Sequence, residues 1–117
     1  MPTSTGHTKA ILASRVQGTN VYNSAGESIG EVKDIVLDKT SNSIMYAVVG
    51  FGGFLGIGER YHPMPWSSLD YNENLGGYVV PMSRDVLEKA PAYEIDDLVR
   101  GDGRIRDSAQ QYYAPYV

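Results

Sequence analysis

Apolar residues along this chain fall in short runs separated by turn-forming residues, the pattern of a small β protein. Val16 to Tyr22 predicts a short strand, and Asn23-Ser24-Ala25-Gly26-Glu27 supplies the residue types that close a tight turn, so the next segment should pair antiparallel. That segment, Ile29 to Asp38, would span about 33 Å if fully extended, against roughly 17–20 Å for an ordinary strand, and is expected to bend. Its apolar residues also change parity: Val32 sits on the even face, Ile35 and Leu37 on the odd one. A bulge near Lys33-Asp34 would bring all three inside a curved sheet.

Lys39 to Ser43 reads as a polar turn, and Ile44-Met45-Tyr46-Ala47-Val48-Val49-Gly50-Phe51 as a strand apolar on both faces. One face can line an interior; the other needs a cover, from the C-terminal segment or from a second subunit. The glycine-rich stretch Gly52 to Glu59 carries Phe54, Leu55 and Ile57, which something should bury. Tyr61 to Trp66 contains Pro63 and Pro65, neither able to donate a ladder hydrogen bond, and this places it at a sheet edge. Trp66 and Leu69 should return to the core. Asp70 to Gly77 reads as a hydrophilic turn and Tyr78-Val79-Val80-Pro81 as the last strand.

Ser83 is placed to cap a short helix that runs to about Ala90, where Pro91 biases the chain away from helical geometry. Ile105, Ala109 and Tyr112 recur at helical spacing, which predicts a second short helix over Arg104 to Tyr113. At the other end, residues 1–13 are polar and read as a lead-in pinned by Ile11 and Leu12, with order beginning near Ser14. The 117 residues suit one domain, expected over 14–93, followed by an extension over 94–117 with a tyrosine-rich tail.

Charge narrows the function classes. Ten Lys plus Arg against fourteen Asp plus Glu give a net charge of −4, which weakens a nucleic-acid reading because phosphate binding runs on concentrated positive charge. Arg100, Arg104 and Arg106 are interleaved with Asp97, Asp102 and Asp107, as in a solvated mixed-charge segment. Absence of cysteine excludes disulfides, thiolate metal sites and cysteine nucleophiles. No stretch approaches the roughly 20 apolar residues of a membrane span, and Met1 to Lys9 lacks the apolar core of a signal peptide, so a cytoplasmic protein without membrane insertion is expected.

Catalytic chemistry finds little to stand on. The only imidazoles are His7 and His62, the latter read as an ordinary strand residue, and no Gly-x-Ser-x-Gly elbow is present. Glu59 with His62, or Asp96 with Asp97 and Asp102, lack the spacing of a zinc or EF-hand motif. Asp34 and Asp38 do not make an acid–base pair without a cleft. The glycine-rich stretch has neither Gly-x-Gly-x-x-Gly nor the Lys-Ser/Thr ending of a P-loop. No catalytic residue, cofactor or metal is assigned. Nine tyrosines without an electropositive groove suit protein contact better than base stacking.

Taken in order, Gly18-Thr19-Asn20-Val21-Tyr22-Asn23, then Gly26-Glu27-Ser28-Ile29-Gly30-Glu31-Val32-Lys33-Asp34, then Gly52 to Glu59 running into Pro63-Met64-Pro65-Trp66, resemble the PRC-barrel domain over about residues 14–93. The ending Tyr112-Tyr113-Ala114-Pro115-Tyr116 is similar to tails of stand-alone bacterial members. The resemblance implies a mainly β fold, a small, highly bent six-stranded barrel with one or two short C-terminal helices. It is the module found in the cytoplasmic part of the photosynthetic reaction centre H subunit and in a ribosome maturation factor, where it docks onto other components. The expected function is a non-catalytic protein–protein interaction or assembly module, a homodimer or a partner of another protein. The expected contacts are Met45, Val49, Phe51, Phe54, Leu55, Ile57, Tyr112, Tyr113 and Tyr116. A ribosome- or RNA-processing accessory, and a small-ligand carrier or enzyme with a pocket at the barrel mouth, are the alternatives.

Overall fold

The structure is a computed structural model and describes residues 10–51 and 61–116. Its sheet has six strands: β1 (Asn20–Tyr22), β2 (Ser28–Leu37), β3 (Ile44–Gly50), β4 (His62–Met64), β5 (Asp70–Asn72) and β6 (Gly77–Val79). Among the described residues three α-helices accompany it: α1 (Ala13–Val16), α2 (Arg84–Glu88) and α3 (Ile95–Tyr113). The strand order is β4-β3-β2-β1-β6-β5. Every pairing is antiparallel except β1 with β6. The six-stranded mixed sheet with short helices matches the expected class, although among the described residues its ladder does not close.

What bends the sheet is its connectivity. Laid flat, six strands would put β4 and β5 about 24 Å apart, at ~4.8 Å per step. Yet these outermost strands are consecutive in the chain, and the link from Met64 to Asp70 reaches about 20 Å only when fully stretched. Part of it is wound into a 3-10 turn, Trp66–Ser68, which shortens it further. The sheet must therefore roll until its two edges approach.

Local chemistry sets the corners. Asn23 Oδ1 accepts the N–H groups of Ala25 and Glu27, and Gly26 takes φ +86°, together closing the β1–β2 turn. The register of β2 on β3 shifts between Val32 and Asp34, the bulge the parity change predicted, and Val32 is fully buried. A second shift between Val36 and Leu37 departs from the expected pattern; Leu37 stays 61% exposed rather than turning inward. Asp38 Oδ1 accepts from the Thr40 and Ser41 N–H groups and shapes the β2–β3 turn, with Asn42 at φ 63°.

Several expectations need correction. Residues 16–19 are not strand: Arg15 and Val16 donate to the Leu12 carbonyl, making the helical turn α1, and Gly18 at φ +85° redirects the chain into β1. Ile11 and Leu12 are exposed, and Val16 is the buried pin. The predicted turn Asp70 to Gly77 is a hairpin, because β5 pairs with β6 through Asp70 opposite Val79 and Asn72 opposite Gly77. The C-terminal helix is 19 residues long, starting at Ile95. Ser83 caps α2 as expected, its hydroxyl accepting from Val86 N. The proline-bearing β4 does lie at an edge.

Candidate docking surface

Because side chains alternate along a strand, β3 offers two faces, and each meets a different set of residues. Ala47 and Val49 point into the larger cluster, with Val21, Val32, Met64, Tyr78, Val80 and others. Tyr46 and Val48 point the other way, onto Leu98 and Ile105 of α3, with Val36, Met45, Tyr61 and Tyr93 at the margin. The second apolar face is thus covered by the chain's own C-terminal helix. Tyr46 adds a buried hydrogen bond from its hydroxyl to the Leu98 carbonyl at 2.9 Å.

This arrangement reassigns much of the expected contact set. Val49 is fully buried on the inner face and Tyr113 fully buried in the same cluster, so neither is on the surface of this chain. On a strand apolar on both faces, parity separates two sets of residues but does not say which set faces inward. Met45 is half-buried against the α3-covered cluster, and Phe51 half-buried against the inner one, its ring 4.6 Å from that of the buried His62. Tyr112 is half-buried and donates its hydroxyl to the Val86 carbonyl at 2.7 Å, tying α3 to α2. Tyr116 remains 43% exposed. Phe54, Leu55 and Ile57 lie outside the described residues, as do His7 and Glu59.

The structure instead exposes apolar groups that pattern reading passed over. Leu37 and Ile44 stand opposite each other at the mouth of the β2–β3 turn. At the β5 edge, Tyr71 and Leu75 are both exposed. Tyr71 rests edge-on against Tyr78 at 5.3 Å, and Tyr78 against Trp66 at 5.6 Å, so an aromatic row runs from solvent into the core. The alternation of Tyr71 with its polar neighbours was the available signal, hidden because Asp, Asn and Gly nearby read as turn.

Ionisable groups follow their surroundings. The Thr40 and Ser41 N–H groups, with Arg106 of α3 assisting, hold the Asp38 carboxyl below its usual range. Burial pushes the Tyr78 phenol up, with Tyr71 adding to the effect. Burial raises Tyr112 and, more strongly, Tyr113. Among the described residues no three His, Asp or Glu side chains gather closely enough to hold a metal ion, and no helix is long and apolar enough to cross a membrane.

The PRC-barrel domain model matches residues 9–87. This chain belongs to the PRC-barrel family. The match takes in all six strands and most of α2 and stops short of α3, so in this PRC-barrel chain the helix over the outer face of β3 lies beyond the matched domain. Among solved structures it is similar to a putative 16S ribosomal RNA processing protein RimM from Pseudomonas aeruginosa, at 14% identity and a TM-score of 0.40, over 71% of this chain. The chain spans about half the length of that protein, 50% of it being covered. No curated protein matches it.

Proposed function

We propose that this PRC-barrel chain is a non-catalytic docking module that self-associates through the open edge of its sheet at β5. The observation that carries the reading is the exposed Tyr71 on an outermost strand, backed by Tyr78 and Trp66 and flanked by exposed Leu75. A rigid aromatic anchor on a strand edge that has no ladder partner among the described residues is the combination that supports strand addition and interface hot spots. A two-fold antiparallel pairing centred on Tyr71 sets Asp70 of one copy against Asn72 of the other, so no like charges meet. With three residues in β5, backbone bonds alone are few, and the aromatic contact supplies much of the affinity.

Protein rather than nucleic acid is the partner that fits the charge. The net charge is −4, and Arg106 already bonds Asp107 at 3.2 Å on an α3 whose first turn holds Asp96 and Asp97. Light scattering at micromolar concentration is the test: a dimer for the native chain and a monomer for Tyr71→Arg, with circular dichroism unchanged. A native chain that stays monomeric, or a Tyr71→Arg variant that stays dimeric, contradicts the proposal.

A further inference from the structure

Helix α3 is not fastened evenly. In its rear half Ile105, Ala109 and Tyr113 are buried at four-residue spacing, and Tyr112 bonds the Val86 carbonyl. From 94 to 100, Leu98 alone is buried; Ile95 and Val99 are 43% and 70% exposed. Glu94, at the N-cap, makes no side-chain capping hydrogen bond among the described residues. Between the halves lie Gly101 and Gly103, each of which weakens a helix about fivefold relative to alanine.

Both ends of the front half are pinned. Tyr93 exchanges two backbone hydrogen bonds with Tyr61, at 2.8 and 3.0 Å, and Ile105 is buried in the cluster with Tyr46 and Val48. The segment between can therefore lift without disturbing the inner core. Its lifting exposes fully buried Tyr46 and Val48, rimmed by Val36, Met45, Tyr61 and Tyr93. That seat is shaped for a helix, since a helix occupies it, and for a leucine side chain over an aromatic ring whose hydroxyl seeks a carbonyl.

We propose that the front half of α3, Ile95 to Arg100, is a displaceable strap, and that its seat on the outer face of β3 receives an amphipathic helix from a partner, with a leucine in the place of Leu98. Displacement of the strap does not depend on self-association at β5; the docking step shares with that reading only the premise that the chain binds protein.

Residue-resolved amide exchange on the full chain under native conditions tests the strap. Amides 98–103 are expected to exchange at least about tenfold faster than amides 109–113 and those of β2 and β3. Gly103→Ala should slow the first group about fivefold, because its Cβ meets nothing closer than the end of the flexible Arg106 side chain at 3.3 Å. Equal rates in both halves, or no response to Gly103→Ala, overturn the strap. For the seat, a labelled synthetic peptide spanning residues 94–106 should bind the Leu98→Ala chain at least about tenfold more tightly than the native chain, whose own strap competes. Equal or absent binding to the folded variant, judged by its retained slow β2–β3 amides, overturns the helix-receiving seat. Light scattering on the same samples reports separately on the dimer.

Discussion

The two faces of β3 are equally apolar and unequally held. On the inner side, Ala47 and Val49 join a cluster of fourteen buried residues drawn from five strands, all three α-helices and the connections between them. On the outer side, Tyr46 and Val48 meet two buried residues of one helix, Leu98 and Ile105. Burial is complete on both sides, so burial alone does not distinguish a fold's core from a cover laid on it. The number of independent elements that must separate before water enters does.

The comparison is most sharply tested where the inner cluster is cut. Met64 is fully buried on β4 against the inner set, and Met64→Ala should cost about 2–5 kcal/mol of global stability in urea unfolding. Leu98→Ala removes a side chain of similar size but should lower the global midpoint by less than half as much, since the strap opens locally. Equal costs for the two variants would erase the distinction between the faces.

A smaller effect comes from the hydrogen bond between Tyr46 and Leu98 across the outer seat. Tyr46→Phe loses the bond to the Leu98 carbonyl and should cost about 0.5–1.5 kcal/mol, read as faster exchange at residues 98–103. Tyr113 gives an opposite sign. Its hydroxyl is buried and, among the described residues, has no hydrogen-bond partner. Tyr113→Phe is therefore expected to be neutral or to stabilise by up to about 1–3 kcal/mol.

The same phenol makes stability depend on high pH. Burial raises its folded pKa above the usual phenol value of 10.0, so the unfolded chain ionises first. Its contribution is complete below 10.0 and is lost as pH rises from there toward the folded pKa. Tyr113→Phe should flatten that alkaline loss. The smallest effect is expected at Asp38: hydrogen bonds to the Thr40 and Ser41 amides depress its pKa, so its contribution is present above 3.8 and fades as pH falls below it. Asp38→Ala should remove that slight acid sensitivity.

Legibility in the sequence followed how locally each feature is determined. The bulge at Lys33 showed as a parity change, the α2 cap as Ser83 ahead of a polar turn, and the edge position of β4 as two prolines. β5 was invisible because Asp70-Tyr71-Asn72 is turn-like in isolation and becomes strand only through its ladder with β6. The front of α3 was missed because Gly101 and Gly103 interrupt the pattern, and the seat that holds Leu98 is made by a strand some fifty residues away in sequence, as the Tyr46–Leu98 bond records. The face of β3 that turns inward depended on which residues the rolled sheet encloses, a property of the whole fold.

The most direct measurement is a urea titration followed at once by Trp66 fluorescence and by helical ellipticity. Trp66, the only tryptophan, packs against the inner cluster, while much of the helical signal belongs to α3. Unequal fastening predicts that part of the helical signal is lost at urea concentrations where Trp66 fluorescence is still native. Two coincident transitions, with a single midpoint and slope, would contradict it.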